Sequence, residues 1–67
     1  MTLRRISDWT LLTGADVEIR YQDRHISHGR VDAVTDDGSV LWLHPSGENR
    51  RLYEKAEFYE AWAMEDA

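Results

Sequence analysis

The 67-residue chain contains no cysteine. Disulfides, zinc–thiolate sites and thiol nucleophiles are therefore excluded, and a reducing, cytoplasmic location is expected. No apolar run reaches membrane-spanning length, and Arg4 and Arg5 lead into Ile6, Ser7 and Asp8 where a signal peptide would turn hydrophobic. A soluble protein without membrane contact is expected. Basic residues are scarce: 8 Lys and Arg stand against 13 Asp and Glu, a formal net charge of -5. Such a field repels nucleic acid, because phosphate binding relies on several clustered cations. The local exceptions are Arg4 with Arg5, and Arg50 with Arg51 and Lys55.

Signatures of catalysis are missing as well. Ser7, Ser27, Ser39 and Ser46 have no nucleophile-elbow context, and there is no glycine-rich phosphate loop. Asp36 and Asp37 are explained as turn formers, and Glu54, Glu57 and Glu60 as solvated charge near Lys55. His25, His28 and His44 invite a metal reading. On an extended chain, however, the spacing of His25 and His28 sends them to opposite faces, and no acidic cluster completes a ligand set. The expectation is no metal, no cofactor and no enzyme activity.

What the chain does contain is strand periodicity. Val17, Ile19 and Tyr21 alternate with Glu18, Arg20 and Gln22, the pattern of a half-buried strand. Gly14 closes an entry segment, residues 1–14, whose Trp9, Leu11 and Leu12 are expected to pack across one end of the fold. After a polar tip at Asp23, Arg24 and His25, the next strand carries Ile26 and then Val31 and Ala33. The odd separation of Ile26 from Val31 calls for one inserted residue, and Gly29 in that gap predicts a bulge or corner. Asp36, Asp37 and Gly38 form a hairpin turn. Leu41 and Leu43 then share one face, Val40, Trp42 and His44 the other, and Pro45, Ser46 and Gly47 turn the chain into a strand from Arg50 to Tyr53. The predicted core is Val17, Ile19, Val31, Ala33, Leu41, Leu43 and Leu52.

The C-terminal stretch mixes helix formers with Phe58, Tyr59 and Trp62, which favour strand. A barrel needs a closing strand, so a helical turn near Glu54 to Glu57 followed by a strand from Phe58 to Ala63 is expected. An amphipathic helix from Glu54 to Met64 is the alternative.

The alternation at Val17 and Ile19, the bent Gly29-Arg30-Val31 and the Asp37-Gly38 turn before Val40 to Leu43 together resemble the Src-homology-3-like small barrels, including Tudor-type and Sm-like modules. The resemblance implies an all-β, five-stranded antiparallel barrel with a short helical turn before the last strand. One domain over 1–67 is expected, with the barrel in 15–63 and a tail in 64–67. The acidic-loop and ALYDY-like pattern of proline-ligand binders is absent, as is the paired glycine signature of Sm proteins, so the fold is implied and the ligand is not.

Trp42, between two inward leucines, faces outward by alternation. Tyr53 and Arg51 are expected to share its face, with Trp62 beside them, as a partner-binding surface of hot-spot residue types. The rival is that Trp42 is covered within the chain by Trp9 or Trp62. The function expected is a non-enzymatic module that binds a protein partner or itself. Binding of RNA or DNA through Arg50, Arg51 and Lys55 is the alternative.

Overall fold

The computed structural model describes residues 2–45 and 47–65; Ser46 of the expected turn and Asp66 and Ala67 of the expected tail lie outside them. Six strands form one antiparallel sheet: β1 (Thr2–Ile6), β2 (Asp16–Tyr21), β3 (Arg24–Val34), β4 (Val40–Pro45), β5 (Arg51–Glu54) and β6 (Glu60–Glu65). Their order across the sheet is β1-β6-β2-β3-β4-β5. The protein is all-β, with single 3₁₀ turns at Trp9–Leu11 and Lys55–Glu57.

Two expectations are corrected at this level. There are six strands rather than five, and the sheet is not closed into a barrel, because β1 and β5 stand at its two ends. The added strand comes from the entry segment, where Leu3 and Ile6 do not alternate as a strand should. Pairing with β6, from Thr2↔Glu65 to Ile6↔Ala61, imposes the extended form that local pattern does not announce.

One face of the sheet holds the core: Trp9, Leu12, Val17, Ile19, Val31, Leu41, Leu43, Tyr53 and Ala61 are buried. Trp9 enters it from the first 3₁₀ turn, which Asp8 caps by accepting from the Thr10 backbone N–H at 3.1 Å. The Thr10 hydroxyl and backbone N–H hold the Asp8 carboxyl below its usual pKa. Above Trp9 lies Lys55, its ammonium 5.9 Å from the ring centroid and donating to the Ser7 carbonyl. The entry segment thus seals one end of the fold, although Leu11 points to solvent.

Strand β3 departs twice from a regular ladder. Its register jumps at Ile26, between the pairs Ile19↔Ser27 and Arg20↔His25, and again at Asp32, between Val31↔Leu43 and Ala33↔Trp42. The sequence placed the irregularity at Gly29, whose function is different. Gly29 pairs with Val17 on one side and Pro45 on the other, and a Cβ there would lie 2.6 Å from the His44 carbonyl oxygen and 2.8 Å from Pro45 Cα. Each inserted residue inverts the side-chain alternation beyond it. For that reason Ala33, expected in the core, pairs with Trp42, and Val34 takes the core-side place opposite Leu41.

The turn before β4 is built on Asp37, whose Oδ1 accepts from the Ser39 hydroxyl at 2.7 Å, the Thr35 hydroxyl at 2.8 Å and the Ser39 backbone N–H at 3.0 Å. Gly38, at φ 72°, sits against the Thr10 side chain, which ties this turn to the entry segment. The helical turn before the last strand falls at Lys55–Glu57, and the strand begins at Glu60 rather than Phe58, which is left-handed at φ 69° and exposed. The alternative of a helix from Glu54 to Met64 is thereby replaced by turn and strand.

Two measurements check this architecture. Gly29→Ala pushes a methyl into backbone that cannot swing aside and should cost about 1–3 kcal/mol in urea unfolding, with no loss on an Ala substitution at the exposed Gln22. The Ser39 hydroxyl, then the Ser39 N–H and the Thr35 hydroxyl, lower the Asp37 pKa from 3.8 to about 2. The contribution of this depressed group is fully present above the unfolded value and disappears as pH falls from about 4 through about 2. An NMR titration should place the Asp37 midpoint near 2, and Asp37→Asn should flatten the acid limb of the stability curve.

Candidate functional site

Trp42 does face outward. Leu41 and Leu43 are fully buried while Trp42 is half-buried on the opposite side of β4. On β5 the outcome is the reverse of the expectation. The register Leu41↔Tyr53 and Trp42↔Leu52 turns Tyr53 into the core, 6% exposed, and turns Leu52 outward, 50% exposed. A strand pattern of one apolar and one aromatic residue leaves two registers open, and a one-residue difference exchanges the faces. The tyrosine wins because its ring meets Tyr59 edge-on at 5.0 Å, and Tyr59 in turn meets Tyr21 at 5.2 Å. Three rings close that end of the core, burying more area than the leucine could.

Arg51 lies on the Leu43 side at the start of β5 and reaches Glu48 at 3.4 Å, so it does not join Trp42 either. The cation at Trp42 is Arg50. Its guanidinium stands 5.6 Å from the indole centroid, held by Asp32 at 2.8 Å. Asp32 is the bulged residue of β3, which is how a carboxylate comes to this position. The pair is solvent-exposed and contributes at most about 1 kcal/mol to stability. Its effect is to place a flat cation over a flat ring. The indole of Trp9, proposed as an alternative cover, is occupied in the core, and the group lying over Trp42 is Arg50.

Trp62 forms a second, separate cluster, because β2 and β3 intervene between β6 and β4. Arg20 stacks 4.4 Å from its centroid, and its Nε1 donates to Glu60 at 3.0 Å. Arg20 is ion-paired with Glu18, and Arg5 reaches Glu60 at 3.7 Å. Hydrogen bonding from Arg20, more than from His25, keeps the Glu18 carboxyl below its usual pKa. His25 Nδ1 lies 3.3 Å from Glu18, and the rings of His25 and His28 are 5.9 Å apart. The opposite-face expectation for these histidines fails because the bulge at Ile26 falls between them. Beyond this cluster a groove of ≈ 350 Å³ runs between Leu3, Met64, Asp16, Glu18 and His28.

The cations of the nucleic-acid alternative have internal partners: Arg50 on Asp32, Arg51 on Glu48, and Lys55 on the Ser7 carbonyl. Among the described residues no group of three or more His, Asp or Glu side chains is placed to hold a metal, and no helix is long and apolar enough to cross a membrane. What the outer face offers is an exposed leucine beside a half-buried tryptophan, Leu52 and Trp42, on the last two strands of the sheet. Leu52, expected in the core, lies on the outer face instead; the signal in the sequence for this is the preference of a large tyrosine for the core position.

The exchanged faces of β5 have a direct energetic test. Tyr53→Ala should cost about 3–5 kcal/mol in denaturant unfolding, as aromatic core truncations do, whereas Leu52→Ala should stay within about 0.5 kcal/mol of the parent. No protein-family model, curated protein or solved structure matches the chain, so the chemistry of these side chains and their placement carry the functional reading.

Proposed function

We propose that the chain is a non-enzymatic protein-interaction module, acting in a reducing cytoplasm, whose contact surface is the outer side of β4 and β5 around Trp42 and Leu52. The observation that carries this reading is Leu52. It is half exposed on the outer face of the terminal strand of a sheet whose inner face is buried, and it is paired directly with Trp42. An apolar side chain on an unpaired edge is a liability for a protein that acts alone and a contact for one that does not. Trp and Arg beside it are the residue types that supply binding energy at low entropic cost. Strands β2 to β6, with a 3₁₀ turn before the last, support a Src-homology-3-like arrangement to which β1 is added along β6.

Nucleic acid is the weaker reading. The net charge of -5 opposes phosphate approach, and Arg50, Arg51 and Lys55 each already have a partner within the chain.

A photo-reactive residue placed at position 52 tests the proposal in the source cell. Irradiation should give a protein adduct that is lost with Trp42→Ala, while the same residue at position 22, in the β2–β3 turn, gives none. Equal adducts at both positions, or none at 52, would overturn it.

A further inference from the structure

Resting on the reading of β4 and β5 as a contact surface, we infer that β5 is the seam of a two-fold homodimer, in which β5 of one copy pairs antiparallel with β5 of another about an axis through Leu52. Among the described residues β5 is paired to β4 alone. The Lys55 N–H donates to the Ser39 carbonyl at 2.8 Å, and these two residues stand opposite each other, one step beyond Val40↔Glu54. In an antiparallel ladder, bonded and non-bonded pairs alternate. Tyr53 and Arg51 therefore turn their backbone groups to β4, and Leu52 and Glu54 turn theirs to the open edge. Val40 agrees with this phase, since its carbonyl accepts from the Thr35 N–H on the β3 side at 3.0 Å.

A two-fold axis normal to the sheet keeps the outer faces of both copies on one side, so paired residues must be of equal parity. Few registers meet that condition, and charge selects among them. Centring on Tyr53 would set Arg51 against the partner's Lys55 and would call on backbone groups already bonded to β4. Centring on Glu54 or Arg50 would set each against its own copy. Centring on Leu52 joins the free backbone groups, sets Leu52 against the partner's Leu52, and sets Arg50 against the partner's Glu54 on both sides of the axis. Leucine then meets leucine, with each Trp42 next to it across its own β4–β5 pair, in a continuous outer strip bounded by opposite charges. The other end of the sheet lacks this symmetry, because β1 centred on Arg4 or Arg5 opposes like charges.

Sedimentation equilibrium of the full chain tests the seam. The parent should show a concentration-dependent dimer. Leu52→Pro removes an N–H that has no partner among the described residues, so it should keep the near-ultraviolet dichroism of the parent and weaken dimerisation at least about tenfold. Glu54→Arg should also weaken it about tenfold, and the double exchange Arg50→Glu with Glu54→Arg, made together with Asp32→Asn so that residue 50 does not face the carboxylate that now holds Arg50, should restore it to within about threefold. Should Leu52→Pro fail to fold, the charge exchange alone decides. A monomeric parent, or a double exchange no better than Glu54→Arg alone, overturns the inference. If the parent is monomeric yet position 52 cross-links to a different protein, self-pairing fails and the interaction module stands; if no adduct forms either, both fail.

Discussion

The 11-residue strand β3 must serve two neighbours, β2 along its first part and β4 along its second, and the chemistry of both faces depends on how it does so. At Gly29, which pairs with both, β4 passes so close that a Cβ would meet the His44 carbonyl oxygen and Pro45 Cα. On either side of that pivot one residue is inserted into the ladder, Ile26 toward β2 and Asp32 toward β4. Because side chains alternate with period two, each insertion exchanges inner and outer positions for the residues beyond it. The first brings His25 round to the side of His28 and within reach of Glu18. The second moves Ala33 out to Trp42, lets Val34 into the core, and leaves Asp32 free to hold Arg50 over the indole. A single strand's irregularities thus assemble the polar groups of two surface clusters that are separated in the sheet.

The parts of this fold that the sequence made legible are those governed by local rules. The alternation of Val17 with Ile19 and of Leu41 with Leu43 follows from the period of a strand, and the Asp37-Gly38 turn from the hydrogen bonds that only those residue types supply. A helical turn near Glu54 to Glu57 followed by a strand is expected from a barrel that needs closing; turn and strand are both there although the sheet does not close, and Phe58 is the left-handed exit of the turn. What was not legible depends on neighbours distant in sequence. Strand β1 exists because β6 offers it a ladder; the direction of Tyr53 and Leu52 is decided by Tyr59, which belongs to the following connection. The candidate site shared this fate: Trp42 was placed correctly by its flanking leucines, whereas Tyr53, Arg51 and Trp62 were grouped with it on parity and proximity that the register and the sheet order do not support.

Both outward tryptophans carry a guanidinium over the ring, and in each case a carboxylate holds that guanidinium: Arg50 with Asp32 on Trp42, Arg20 with Glu18 on Trp62. The arrangement reconciles two opposing demands. A bare indole on a small acidic domain would be an unspecific apolar spot, while a lysine or arginine without a counter-charge would wander. Stacked and paired, the arginine covers the ring face with a weakly hydrated plane that desolvates more readily than an ammonium. The difference between the two clusters is what surrounds them. Each borders a half-exposed apolar side chain, Met64 two positions beyond Trp62 and Leu52 opposite Trp42, but Trp62 is also ringed by the ion-paired and hydrogen-bonded groups Glu18, Glu60, Arg5 and His25, whereas Trp42 has only the Arg50–Asp32 pair beside it.

An open sheet has two ends, and this chain treats them differently. At one end β1 covers β6 and presents Arg4 and Arg5, charges of the kind that discourage further strand addition. At the other, β5 is short because the chain is captured immediately after it: Lys55 donates through its backbone to Ser39 and through its ammonium toward Ser7, which turns the connection back over Trp9. The same lysine that seals the core therefore fixes where the free edge stops. It also fixes its phase, since the bond to Ser39 determines which backbone groups of β5 are left facing solvent. Leu52 lies midway between Arg50, two positions before it, and Glu54, two positions after. Edge protection by charge works when the charges repel their own copy; here their order about the leucine is self-complementary, so charge protects this end of the sheet less than it protects the β1 end.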